Sequence, residues 1–199
     1  MRKMLYYHIK QYWVIYLTLS CVFLAGGIFG AVGVGALAPE KSEDLSKFLN
    51  KLLNDQPNMI NTAFLQQMAK DNFIIMAGIW ALGLTVIGTP LVYLIVFTRG
   101  FVLGFTMAFI LQLKKLVGLG LVVMTILFPS ILMIPCLLLG AGLATIFSFF
   151  LLQGKTNGDV LKKDFFYYCA ASLLISLGAV AAGVLQGYFS IVGNRFFDF

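Results

Sequence analysis

Long, uninterrupted apolar blocks are the feature that most limits what this chain can fold into. Of its 199 residues, 60% are hydrophobic and 11% are charged, whereas an ordinary soluble domain has about 25% charged residues. The blocks have no polar face, so helices built from them need an apolar solvent on every side, and lipid is that solvent. The sequence therefore predicts an all-α, polytopic transmembrane helical bundle that forms a single integral membrane domain over residues 1–199.

The order of the apolar blocks predicts about five membrane spans. The predicted segments are a first span at 14–37, an extracytoplasmic loop at 39–72, a second span at 73–97, a short span or half-helix at 100–113, one or more broken spans at 116–152 and a last span at 165–192. Thr98 and Arg99 are predicted to form a tight cytoplasmic turn. The run at 100–113 is too short for a bilayer and the run at 116–152 is too long for one span, so kinked or re-entrant helices are expected there.

Three prolines, Pro90, Pro129 and Pro135, mark the expected helix kinks or breaks. Proline has no backbone N–H and clashes with the preceding helical turn, so inside a helix it causes a kink or a break. Irregular backbone at membrane depth is tolerated only where protein shields it or where it lines a wet cavity.

The charged residues lie mainly at the edges of the apolar blocks and indicate topology. Arg2, Lys3 and Lys10 precede the first span, which predicts a cytoplasmic N-terminus and therefore an outward-facing 39–72 loop. The formal net charge of +6 is attributed to this topology and to contact with membrane lipids, not to nucleic acid. Lys114 and Lys115 are interpreted either as an interfacial loop or as a site for an anionic headgroup.

The 39–72 loop contains an amphipathic helical pattern. Its apolar residues recur at the spacing of one helix face and are Leu45, Phe48, Leu49, Leu52 and Leu53. Pro57 separates this pattern from a second, weaker one that includes Phe64. The apolar face is expected either to lie in the membrane surface or to bind a protein partner.

Small residues recur at helical spacing within the predicted spans. The candidate packing positions are Gly26, Gly30, Gly78, Gly83, Gly88, Gly100, Gly104, Ala179, Gly183 and Gly187. Small side chains allow helix backbones to approach closely in lipid, where no hydrophobic effect drives helices together. The pattern predicts packing within this bundle or against a partner helix, and it leaves a homo-oligomer open.

The reactive residue types do not form a catalytic set. The only histidine, His8, precedes the first span, and neither an HExxH nor a CxxC motif occurs. No acidic residue lies well inside a predicted apolar block, so no carboxylate pair is expected there. Ser130, Ser148 and Ser172 are expected to bond to their own helix backbones. We therefore expect no catalytic, cofactor-binding or metal-binding residues.

Two glycine-containing stretches lie close together in the middle of the chain: GIWALGLTVIGTP at 78–90 and TRGFVLGFT at 98–106. The first resembles the signature of the stage II sporulation protein M family. The second is similar to the basic-Gly-x-x-x-Gly-Phe segment that follows that signature in the family. The resemblance is clearest over residues 73–152, and the order of the N-terminal span, the outward loop and the two motifs also fits.

The resemblance implies a role for the chain in endospore-forming bacteria. It implies a multi-pass protein of the bacterial cell membrane that anchors two peptidoglycan-degrading partners, stage II sporulation proteins D and P, during engulfment of the forespore. A family member of this kind is a scaffold without hydrolase chemistry of its own. The alternative is a permease-like subunit of a transporter, which the irregular segments at 100–113 and 116–152 suggest. A polar cavity at mid-membrane depth between those segments would favour the alternative.

Overall fold

The computed structural model of the chain is all-helical over the residues it describes, which are 13–36, 47, 62–85, 87–122, 127–153 and 158–196. Its five helices are α1 (Trp13–Gly35), α2 (Thr62–Gly83), α3 (Gly88–Val122), α4 (Phe128–Gln153) and α5 (Gly158–Phe196). This architecture confirms the prediction of a helical bundle with about five spans.

Four of the five helices are long and apolar enough to cross a membrane. The stretches that qualify are Trp13–Gly35, Gly88–Gln112, Ser130–Leu152 and Phe165–Tyr188. The remaining helix, α2, has an apolar second half, but its first half contains Gln66, Gln67, Lys70, Asp71 and Asn72. These polar residues lower the mean hydropathy of α2, although at 22 residues it is as long as a span.

The helices form two pairs on either side of α4. The most extensive contacts join α1 to α3 and α2 to α5, while α4 contacts all four of the other helices. Half of the apolar stretch of α4 is buried, the largest share among the four stretches, so α4 lies at the centre of the bundle. The two pairs meet only weakly away from α4, which leaves a cleft between α3 and α5.

The core of the bundle draws residues from every helix. Its buried members are Leu19, Phe23, Met76, Ile79, Val92, Val96, Leu137, Ala141, Ala144 and Ala179. Many large side chains on the outer faces are exposed instead, including Leu24 and Ile28 of α1 and Leu174 and Leu177 of α5. Such faces suit lipid, which does not penalise exposed apolar surface as water does.

The predicted second span at 73–97 is wrong, because two helices share this segment. α2 ends at Gly83, and α3 begins at Gly88 after a short non-helical connection. Pro90 is the third residue of α3 and causes no kink, but it directly follows the break between α2 and α3, which is the other outcome expected of this proline. A proline in the first turn costs no hydrogen bond, since the N–H groups there have no partner within the helix.

The predicted turn at Thr98 and Arg99 and the predicted half-helix at 100–113 are also wrong. Both belong to α3, which runs for 35 residues from Gly88 to Val122. Neither residue is a helix breaker, and a charged side chain can stay within a membrane helix when it faces other helices or a cavity. The charge of Arg99 therefore does not mark the end of a span.

The remaining boundaries differ in smaller ways. The predicted segment at 116–152 is divided between the end of α3 and α4, with Pro129 as the second residue of α4 and Pro135 inside that helix. The last residues of the predicted 39–72 loop, from Thr62 onward, belong to α2, and Phe64 lies in the first turn of that helix. Leu45, Phe48, Leu49, Leu52 and Leu53 lie outside the described residues.

Candidate functional site

The backbones of α1 and α3 touch at their glycines. A Cβ atom added to Gly26 would collide with the backbone carbonyl of Phe97, and one added to Gly100 would collide with the carbonyl of Phe23. The same contact is made by Gly30, which faces Phe101, and by Gly104, which faces Gly27. These four predicted glycines therefore pack against each other's helices within the chain, and this surface is not available to a partner.

The remaining small residues are placed less uniformly. Gly83 packs against Tyr168 and Ala144, Gly88 against Leu82, and Gly183 against Asn72 and the carbonyl of Met68. Ala179 and Gly187 are buried. Among the described residues, and beyond the backbone of its own helix, nothing lies within 4 Å of the place that a Cβ atom on Gly78 would occupy, so Gly78 makes no close contact with the other described helices.

Polar side chains satisfy the backbone where the chain breaks between α2 and α3. The Ser148 hydroxyl donates to the Thr85 carbonyl at 2.8 Å and accepts from the Thr89 hydroxyl at 3.0 Å. The Tyr168 hydroxyl donates to the Trp80 carbonyl at 2.8 Å. Carbonyls in the last turn of a helix have no partner within it, so α5 supplies the donor for Trp80. The bond from α4 is to the connection after α2, where the Thr85 carbonyl also accepts from the Gly88 N–H at 3.1 Å. Ser148 is expected to bond to its own helix backbone, and its hydrogen bonds with Thr85 and Thr89 connect it to residues outside its helix.

The register between α1 and α3 fixes the depth of Arg99. Phe23 lies opposite Gly100 and Gly27 opposite Gly104, while Gly26 lies opposite Phe97 and Gly30 opposite Phe101, so the two helices are parallel with an offset of 71 to 77 residues. The midpoint of the apolar stretch of α1, 13–35, is therefore level with residues 95–101 of α3. At a rise of 1.5 Å per residue, the backbone of Arg99 lies within about 6 Å of that midpoint.

A cavity of about 140 Å³ borders Arg99. Its polar side chains are Arg99 and Thr106 of α3, Ser130 of α4 and Gln186 of α5, and its apolar wall includes Phe23, Leu103 and Leu137. The cavity lies between the two helix pairs, and residues of α4 form part of its lining. The Thr106 hydroxyl donates to the Val102 carbonyl of its own helix at 2.7 Å, so it does not point a free donor at Arg99.

The charge of Asp71 in α2 interacts electrostatically with the charge of Arg99. Among the described residues, no carboxylate lies within ion-pair distance of Arg99. Asp71 accepts a hydrogen bond from Gln67 at 3.1 Å and is exposed, while its neighbour Asn72 is only 5% exposed. Asn72 packs against Gly183, which lies five residues inside the apolar stretch of α5, so this part of α2 is also at membrane depth.

Sequence reasoning missed this polar group because it assigned Arg99 to a turn and Asp71 to a loop. One signal was present in the sequence. Residues 88–112 form 25 residues with Arg99 as the only charge, a good length for one span. No pattern in the sequence predicts that residues 71 and 99 interact, because they lie on different helices and only the packing of those helices brings them near each other. Among the described residues, no three His, Cys, Asp or Glu side chains form a group able to hold a metal ion.

Five packed helices, four of them able to cross a bilayer, define a multi-pass helical membrane protein. A family model described as stage II sporulation protein M matches residues 19–191, nearly the whole chain. The chain belongs to this family. No curated protein and no solved structure matches it.

Proposed function

We propose that the chain is a non-catalytic membrane scaffold that anchors peptidoglycan-degrading partners during forespore engulfment. The observation that supports this proposal is the match to the stage II sporulation protein M family over residues 19–191. The partners would be similar to stage II sporulation proteins D and P. The chain would supply a fixed position in the membrane, and the partners would supply the hydrolytic chemistry.

The bundle offers two kinds of surface to such partners. The outer faces of α1 and α5 expose large apolar side chains, among them Ile28 and Leu177, at 65% and 64%. They suit lipid or the transmembrane helix of another protein. The part of segment 39–72 that precedes α2 is the proposed docking surface outside the membrane, where wall hydrolases act, through the apolar face that contains Phe48 and Leu52.

Substitution of that face tests the scaffold role. We expect Phe48→Asp combined with Leu52→Asp to prevent peptidoglycan hydrolases from co-purifying with the tagged chain from sporulating cells. Two buried charges would remove the apolar contact. The matched control, Asn50→Asp with Asn54→Asp, adds the same charge to the opposite side of the helical pattern and should leave co-purification unchanged. Equal recovery of hydrolases with both pairs would contradict docking through this face.

The proposed orientation places the N-terminus in the cytoplasm and segment 39–72 outside. Five alternating crossings, with α2 crossing as well, would place the two termini on opposite sides of the membrane and fit this orientation and its inverse equally, so labelling has to decide between them. Single cysteines at Ser46, Lys114 and Asn157, in a chain whose three native cysteines are replaced, test it with a membrane-impermeant thiol reagent. We expect labelling of the first two positions in intact protoplasts and of the third only after permeabilisation. The opposite pattern would invert the topology.

A permease-like subunit is the second candidate, and the cavity between α3 and α4 is the observation that favours it. Transport requires access to such a cavity from both sides of the membrane. A single cysteine at Thr106, in the same cysteine-free chain, measures this access. Labelling from each side under different conditions would favour the permease, whereas labelling from one side at most would favour the scaffold.

A further inference from the structure

Within the part of the chain that the structure describes, the charge of Arg99 has no carboxylate at ion-pair distance, at a depth where a charge needs one most. The backbone of Arg99 lies within about 6 Å of the midpoint of the apolar stretch, by the register of α1 against α3. A charged side chain at the bilayer centre costs several kcal/mol unless it is paired or hydrated. Asp71 interacts with Arg99 only beyond ion-pair distance among the described residues, so a second negative group would be strongly favoured beside it.

The cavity beside Arg99 limits what that group can be. A volume of about 140 Å³ equals the liquid volume of about five waters, which is too small for a helix. Lipid phosphates lie at the membrane surface, about 15 Å from the midplane, so they do not reach it. The guanidinium group presents a planar pair of N–H donors that matches the two oxygens of a carboxylate. Gln186 adds an amide that can donate to the same group.

The apolar wall makes the cavity selective. Phe23, Leu103 and Leu137 line the cavity together with the polar residues, so a bound anion would contact apolar side chains as well as Arg99. A fully hydrated anion would lose more solvation there than a carboxylate attached to a small apolar group. Shape and polarity therefore both favour an aliphatic carboxylate.

We propose that the Arg99 cavity is a carboxylate-binding site at mid-membrane depth. Arg99 binds the carboxylate oxygens, Gln186 donates a further hydrogen bond, and Phe23, Leu103 and Leu137 contact the attached alkyl group. The carboxylate comes either from a small aliphatic acid or from an acidic side chain of another transmembrane helix. This site does not depend on the scaffold role proposed above, because that role places the docking surface on segment 39–72.

The first experiment uses acetate as the probe on the full chain in lipid nanodiscs. Thermal unfolding is followed in sodium acetate and in sodium chloride of equal ionic strength. Acetate should raise the unfolding midpoint by about 2–4 °C at about five times its dissociation constant, relative to chloride. Arg99→Gln should abolish the shift, and Arg99→Lys should reduce it because the ammonium lacks the planar pair of donors. Thr98→Val, next to Arg99 but outside the cavity lining, should keep it.

The second experiment presents the carboxylate on a helix. A hydrophobic peptide of about 20 residues with one central Glu, long enough to span the bilayer, is reconstituted with the labelled chain. Energy transfer between them is compared with that of a twin peptide carrying Gln. Preferential association of the Glu peptide, lost in Arg99→Gln, assigns the carboxylate to a partner helix. An acetate shift without this preference assigns it to a small acid.

Two results would overturn the site. One is an absence of both the acetate shift and the Glu preference in the unmodified chain. The other is persistence of either effect in Arg99→Gln. If Arg99→Gln does not fold, Gln186→Leu replaces it and should reduce the acetate shift by at least half. Loss of hydrolase co-purification upon substitution of segment 39–72 bears on the scaffold role alone, so the two proposals fail separately.

Discussion

The two helix pairs of the bundle are held together by different means. α1 and α3 run parallel and touch through glycines that face backbone carbonyls. α2 and α5 run antiparallel and meet through polar side chains, with Tyr168 bonded to the Trp80 carbonyl and Asn72 packed on Gly183. The first pair tolerates almost no added volume, whereas the second depends on specific hydrogen bonds. Small-residue spacing reveals the glycine contacts in the sequence, including Gly183 of the second pair, and nothing comparable reveals the hydrogen bonds.

Added volume between α1 and α3 should have the largest effect on stability. Gly100→Val would push a branched side chain against the Phe23 carbonyl, which belongs to rigid helical backbone and cannot move aside. We expect the free energy of unfolding to fall by about 3 kcal/mol or more, measured by detergent-induced unfolding. An unchanged midpoint would show that α1 and α3 do not touch at this position.

Removal of one hydrogen bond between α2 and α5 should have a smaller effect. Tyr168→Phe keeps the ring that stacks on Phe147, with centroids 4.3 Å apart, and loses only the bond to the Trp80 carbonyl. The expected loss is about 1 kcal/mol, the usual range for such bonds between membrane helices. Phe147→Leu, which alters the stacking and leaves the hydroxyl in place, separates the two contributions. A loss in Tyr168→Phe as large as that in Gly100→Val would remove the contrast between the pairs.

Substitution at a glycine outside both contacts should have the smallest effect. Gly78 lies in α2 with open space around it, so Gly78→Ala adds a methyl group that meets no neighbour. We expect a change within about 1 kcal/mol, in the stabilising direction, because alanine favours the helix more than glycine does. The same detergent-induced unfolding measures it. A marked loss would indicate that a second copy or a partner covers this face of α2.

The sequence by itself determined the class of the molecule and the residues of its closest helix contact. Apolar blocks without a polar face require lipid, whatever the neighbours are, and the spacing of Gly26, Gly30, Gly100 and Gly104 marks a surface where backbones can meet. The family followed from two short motifs at 78–90 and 98–106. These properties can be recognised from the sequence because each is local, within one or two turns of a helix.

Only the tertiary structure decided where the helices end and which polar groups meet. Arg99 resembles a span boundary when each segment is considered alone. In the structure it lies within α3 and lines a cavity between helices. The bonds from Ser148 to Thr85 and from Tyr168 to Trp80 join residues 63 and 88 positions apart. A buried polar group is acceptable only if its partner is in place, and that partner is set by how the helices pack, not by the residues around it in the sequence.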